Sequence, residues 1–209
     1  MKEHREFKIE IRRQSGDVIV GMVPVNQEDF ILGSTCVCLK EHRSGQLQSV
    51  SLHLNLLQEN HWIFDGLDQK APIRVFVPLD PKPEKMTALY MFTEWWTRPA
   101  FVERFEDIPP RTQVLLLKGK DKCACLVPMV GQHWKAAVNG GTETELCLEL
   151  SAGVGGYMSV EDPLYILAEG DTVREAVHCA FTWLAREKGI LMRQERRIPE
   201  QYKSLGWCS

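Results

Sequence analysis

Period-two alternation runs through this chain and restricts it to a β-rich fold. Phe7-Lys-Ile-Glu-Ile11 and Gln48-Ser-Val-Ser-Leu-His-Leu-Asn-Leu56 place an apolar side chain at every second position. Successive side chains of a strand point to opposite faces, so such a segment buries one face and wets the other. Apolar runs at 17–25, 30–39, 73–79 and 87–92 read as further strands, punctuated by Gly, Pro or Asp. Four more follow at 112–117, 123–128, 133–138 and 145–150. Gly119-Lys-Asp-Lys122 reads as a hairpin turn between two of them. Asn139-Gly-Gly141 reads as a second, because Asn and Gly tolerate the positive φ of tight hairpins. About eleven or twelve short strands with regularly spaced turns predict a large antiparallel β-sandwich.

One segment departs from the rhythm. Val173, Ala176, Val177, Ala180, Phe181 and Leu184 form a single stripe at helical spacing. Thr172-Val-Arg-Glu175 is a capping box, in which hydroxyl and carboxylate satisfy backbone donors of the first turn. Lys188 and Gly189 supply a cation and then a C-cap glycine. The spacing therefore predicts one helix from Thr172 to Lys188. A polar stretch follows, and then Leu205-Gly-Trp-Cys-Ser209, which reads as the opening of another strand.

Composition narrows the function classes. At 209 residues and 44% hydrophobic content, the chain has enough apolar surface for a core without staples. Lys plus Arg number 25 against 28 Asp plus Glu, a net charge of −3, so no basic excess exists to condense on phosphate. A dedicated nucleic-acid partner is thus not expected. Apolar runs fall short of the roughly 18 residues of a membrane span, and no membrane partner is expected. The charged start, Met1-Lys-Glu-His-Arg-Glu, has no apolar h-region behind it. Seven cysteines, an odd number without a leader, predict reduced thiols and a cytoplasmic location.

Little in the motifs supports metal, nucleotide or serine chemistry. Cys36-Val-Cys38 and Cys123-Ala-Cys125 are C-x-C pairs inside apolar strands, where i and i+2 share a face. Structural zinc usually takes C-x₂₋₄-C on a turn, so these read as buried small hydrophobes. The six histidines show neither H-x-H nor H-E-x-x-H spacing, and His178 reads as packing or surface. G-x-S-x-G, P-loop and G-x-G-x-x-G patterns are missing, and no cofactor or metal is expected. The most informative run is Thr93-Glu-Trp-Trp-Thr-Arg-Pro-Ala-Phe101. Two adjacent Trp cannot both point inward from a strand, so one is expected on the other face or in a cleft. A Trp face with an Arg fork is apparatus for sugar recognition, ring stacking joined to hydrogen bonding. An aromatic plug between sheets is the commoner use of such residues. Pro99, which lacks an N–H, is expected to end the ladder and release Arg98 into a loop.

Several segments, in order, resemble the N-terminal part of family 36 glycoside hydrolases, in the raffinose synthase and seed-imbibition-protein branch. Trp95-Trp96-Thr-Arg98-Pro99 resembles that branch's Trp-Trp motif, and Arg111-Thr-Gln-Val-Leu-Leu-Leu117 is similar to its "ETQFLLL" strand. Cys125-Leu-Val-Pro-Met129 and Lys135-Ala-Ala-Val-Asn-Gly140 resemble its "LLPL…FRASL.G" hairpin. Glu145-Leu-Cys-Leu-Glu149 is similar to "ELELCVESG", and Leu205-Gly-Trp-Cys-Ser209 to the start of "LGWC[TS]WDAF". The likeness covers residues 75–209.

The resemblance implies a supersandwich of the galactose-mutarotase-like type over residues 1–170. It further implies a connector helix and linker over 171–204, and over 205–209 the first strand of a (β/α)₈ catalytic barrel. Its implied function is that of an accessory domain of an α-galactoside-acting hydrolase or galactosyltransferase, inactive alone. Trp95, Trp96, Arg98 and Trp207 would be its substrate-binding residues. The partners it implies are an α-galactoside sugar and the barrel; a homo-oligomer is compatible with the sequence. Retaining glycosidases use two carboxyls about 5 Å apart, on later barrel strands in this family, and no residue here is assigned to that pair. Two further classes stay open: a self-standing carbohydrate-binding sandwich, and a structural or oligomerisation module.

Overall fold

In a computed structural model of the chain, residues 5–12, 16–28, 30–33, 35–55, 73–131, 134–152, 163–197 and 199–200 are described. The first half gives β1 (Glu6–Arg12), β2 (Val18–Pro24), β3 (Phe30–Leu32), β4 (Thr35–Ser44), β5 (Leu47–Asn55) and β6 (Ile73–Pro78). Next come β7 (Lys85–Met91), β8 (Thr97–Val102), β9 (Thr112–Lys118), β10 (Cys123–Pro128), β11 (Trp134–Gly141) and β12 (Glu145–Ala152). The chain continues into β13 (Pro163–Gly170) and α1 (Val173–Lys188).

Among the described residues the thirteen strands form one antiparallel sheet that folds into two layers at a narrow seam. Five run in the order β2-β1-β6-β12-β11, and the other eight as β8-β7-β9-β10-β13-β5-β4-β3. At the seam Val138 in β11 pairs with Thr112 in β9, and Ala136 N–H of β11 donates to the Met129 carbonyl just after β10 at 2.9 Å. At the far end Val25, just after β2, bridges Leu39 of β4, so the structure nearly closes on itself. Arg5 ties the sheets there as well, donating to the Pro78 carbonyl at 3.0 Å and pairing with Glu41 at 3.3 Å.

Alternation decides which side chains lie between the sheets. Phe7, Ile9 and Ile11 of β1 face inward with Leu146, Leu148 and Leu150 of β12, all essentially without solvent contact. They share one core with Val37 and Leu39 of β4, Val50 and Leu52 of β5, and Leu115 of β9. Outward positions of the five-stranded sheet carry ion pairs: Lys8 with Glu10 at 2.8 Å and Arg74 with Glu149 at 2.7 Å. The fold is thus the expected mainly β, antiparallel sandwich, with one α-helix among the described residues, late in the chain.

Helix α1 lies on the outer face of β13 and β10 and reaches only the near part of β9. That cover explains why Leu164, Tyr165 and Ile166 of β13 are buried in succession rather than alternately. The expected capping box is present: the Glu175 N–H donates to the Thr172 hydroxyl, and the Glu175 carboxylate accepts from Thr172 N–H. Gly189 caps the other end at φ 64°. Gly170 lets the helix come close, since a Cβ there would lie 2.7 Å from the Ala176 backbone nitrogen.

Several expectations need correction. The run 30–39 is two strands rather than one, broken at Gly33 with φ 66°. Asn139-Gly-Gly141 is not the turn but the bulged end of β11; the chain reverses at Thr142, whose N–H donates to the Glu145 carbonyl at 2.9 Å. Strands β8 and β13 were not expected from pattern. Cys36 is exposed and Cys38 half-buried, because α1 does not extend over β4, so only the Cys123–Cys125 pair is buried packing. Gly119-Lys-Asp-Lys122 is the expected hairpin turn, with Gly119 N–H to the Lys122 carbonyl at 2.9 Å.

The Gly170 contact is testable. Gly170→Ala forces the β13–α1 packing apart and is expected to cost about 1–3 kcal/mol in urea unfolding. An unchanged midpoint would show that the helix is not seated on the strand as described.

Candidate functional site

The doubled Trp sits at the tip of the β7–β8 hairpin, in the bend at residues 92–96. Burial falls along the arm that carries it. Met86 and Ala88 are enclosed, Tyr90 is half-buried, and Phe92 is exposed. Trp95 is 85% exposed and Trp96 62%. Neither Trp belongs to a strand, so both faces of the doubled motif meet solvent, and within the described residues neither plugs the space between the sheets.

The bend is held by short-range bonds rather than by a core. Phe92 N–H donates to the Trp96 carbonyl at 2.9 Å, while Thr93 and Trp96 exchange longer bonds at 3.4 Å. Arg98 stacks its guanidinium 3.9 Å from the centroid of the Phe92 ring. Tyr90 meets the same ring edge-on, at 6.4 Å and 84°. A cation over an exposed aromatic face is worth about 0.5–1 kcal/mol, enough to bias a surface side chain toward one position. Arg111 braces the bend from the turn just before β9. It donates to the Phe92 carbonyl at 3.3 Å, and its own carbonyl accepts from Met91 N–H at 3.1 Å. Arg111 adopts φ 60°, a conformation uncommon for a non-glycine residue.

Pro99 does not end the ladder. It opposes Leu89 in register, and Arg98 opposes Tyr90. Among the described residues β8 pairs only with β7, so it is an edge strand, where a missing N–H is tolerated. The result is an aromatic tip on a two-stranded arm, with Trp95 and Trp96 in the bend and Arg98 in the ladder of β8, its guanidinium over Phe92. Phe92, Tyr90 and Arg111 complete it and were not foreseen. Phe92 carried a signal, lying three residues before Trp95 at the end of an apolar run. Arg111 carried none, since a positive φ at Arg is not written in its type. Trp207, with the strand opening at Leu205, lies outside the described residues.

Exposed aromatic faces beside an arginine can stack on the C–H face of a ring and donate hydrogen bonds to its hydroxyls. The same tip holds Glu94, also exposed, as an acceptor. Among the described residues no three His, Cys, Asp or Glu side chains are grouped as a metal site requires. His178 is exposed on α1. Among the described residues no helix is long and apolar enough to cross a membrane. Compared with models of protein families and with curated proteins, the chain matches none.

Burial separates the thiols chemically. Desolvation pushes the Cys125 thiol up to about 12 from 9.0. Desolvation first, and then the Glu149 carboxylate, does the same for Cys147, also to about 12. Both therefore stay neutral thiols at ordinary pH, and the thiolate is the reactive form. A group whose pKa is raised on folding stabilises the fold below its unfolded pKa. That contribution is lost as pH rises from about 9 toward about 12. In native-state alkylation at mildly alkaline pH, Cys36 should be modified well before Cys125 and Cys147. Equal rates would mean the sheets open on the labelling timescale.

The tip makes its own prediction. Trp95→Ala and Trp96→Ala should each change stability by no more than about 0.5 kcal/mol, as for exposed positions. A cost of about 3–5 kcal/mol, typical of a core Trp, would mean that the ring packs inside.

Proposed function

We propose that this chain is the N-terminal accessory sandwich of an α-galactoside-acting glycoside hydrolase or galactosyltransferase. In this reading the β7–β8 tip forms one wall of a sugar pocket. Trp95 and Trp96 offer stacking faces, and Arg98, held against Phe92, offers donors. The observation that carries the reading is the exposure of both Trp on a braced arm, at 85% and 62%. Large aromatic surface left open to water usually marks a binding or interaction site. The resemblance of residues 75–209 to family 36 supplies the substrate class.

The reaction itself is assigned to a (β/α)₈ barrel that would follow the sandwich. Its two carboxyls, about 5 Å apart in a retaining enzyme, perform attack and proton transfer. Helix α1 and the residues after it would carry the chain toward that barrel, and Trp207 would stand at its first strand. A cytoplasmic setting with reduced thiols belongs to the same reading. The exposure of Trp95 and Trp96 also fits a second reading, a self-standing carbohydrate-binding sandwich that stacks a sugar on the same tip.

One experiment separates the two. The 209-residue chain should not hydrolyse aryl α-galactosides above buffer background. The same chain expressed with the coding sequence downstream of Ser209 should hydrolyse or transfer them. In that longer enzyme Trp96→Ala should lower kcat/KM by about tenfold or more, a loss of roughly 1.4 kcal/mol of transition-state binding. Turnover by the 209 residues alone would overturn the accessory-domain reading. Unchanged kinetics in a folded Trp96→Ala enzyme would remove the tip from the pocket.

A further inference from the structure

The outer face of the eight-stranded sheet is only partly covered. Helix α1 lies over β13 and β10 and stops at the near part of β9. Beyond it, Thr87 of β7 opposes Leu116 of β9 on one side and Phe101 of β8 on the other. This cross-strand row faces outward, and Phe101 is 82% exposed. Val173, at the start of α1, forms the wall on the helix side. The result is a groove of ≈ 460 Å³, lined also by Lys85, Lys118 and Glu103. Its size falls within the range of small-molecule sites, about 300–1,000 Å³.

The charged end of this groove is unusual. Lys85 and Lys118 are directly opposite each other in the β7–β9 register. Like charges in that relation are destabilising. Among the described residues neither ammonium has a carboxylate within 4.0 Å, and Glu103 pairs with neither. Lys122, by contrast, is committed to Asp171. At the start of α1 the N–H groups of Asp171, Thr172 and Glu175 are already engaged within the cap. An anionic group between Lys85 and Lys118 would relieve the repulsion, and it would do so beside an apolar floor with an aromatic wall.

We propose that this groove binds a small anionic amphiphile, an aryl or alkyl chain ending in one carboxylate or sulfonate. Its head sits between Lys85 and Lys118. Its body lies along Thr87 and Leu116 against the Phe101 ring, where edge-to-face or offset packing is available. The site is independent of the proposed sugar platform. Lys85 and the 92–96 bend lie at opposite ends of β7, about 20 Å apart at strand rise.

The probe is 8-anilinonaphthalene-1-sulfonate, followed by fluorescence titration of the folded chain. Saturable binding at one site is expected. Lys85→Gln with Lys118→Gln should weaken it by about tenfold or more, as should Phe101→Ala. All three residues are exposed, so no drop in melting temperature should accompany the loss, and removing the Lys85–Lys118 repulsion should raise it slightly. Trp95→Ala with Trp96→Ala should bind the probe as the parent does, which keeps this site separable from the sugar reading. Absence of saturable binding, indifference to the Lys and Phe changes, or loss with the Trp changes alone would each overturn the proposal.

Discussion

Thr112 is the point on which the architecture turns. A sheet of thirteen strands does not stay open and flat; it curls or splits into packed layers. Here the split falls at the start of β9, where Thr112 opposes Val138 of one sheet and Tyr90 of the other. The residue is fully buried, and its hydroxyl donates to the Pro109 carbonyl at 2.8 Å, so that donor is not left unpaired. Phe105 and Ile108 pack beneath the same corner. With the two sheets folded face to face, each alternating strand has one side to bury and one to hydrate.

Two surfaces escape this closure, for the same reason. The β7–β8 arm branches from β9 past the corner, so its base joins the core while its tip meets solvent. Its outer face also lies beyond the reach of α1. The tip is aromatic and braced, and the outer face is apolar with a basic end. The helix likewise explains why two C-x-C pairs of similar sequence differ. Cys123 and Cys125 lie in β10, over which α1 packs, whereas Cys36 lies on β4, where α1 does not pack.

Much of this was legible because alternation and capping are local physics. Strands β1, β5 and β12 follow from period two, and α1 follows from a helical stripe with Thr172, Glu175 and Gly189 at its ends. The misses have local causes too. Strand β13 is buried on both faces, so its apolar run lacks the alternation that identifies a strand. Strand β8 holds Pro99, which reads as a break yet is harmless on an edge. Gly140 and Gly141 look like a turn but serve close packing: a Cβ on Gly140 would lie 3.0 Å from the Glu106 carbonyl oxygen. Trp95, Trp96 and Arg98 could be nominated from composition alone. Their exposure could not, because it depends on where the arm leaves the sandwich.

The proposed sugar-facing role belongs to the indole rings of the hairpin tip, which report on their own surroundings. It is tested most directly by following the indole N–H resonances of the ¹⁵N-labelled chain during titration with melibiose or raffinose. Trp134, only 2% exposed, serves as the internal control. Progressive shifts at Trp95 and Trp96, with Trp134 unmoved, are expected. Tip indoles that stay in place up to the solubility limit of the sugar, or that move no more than Trp134, would contradict it.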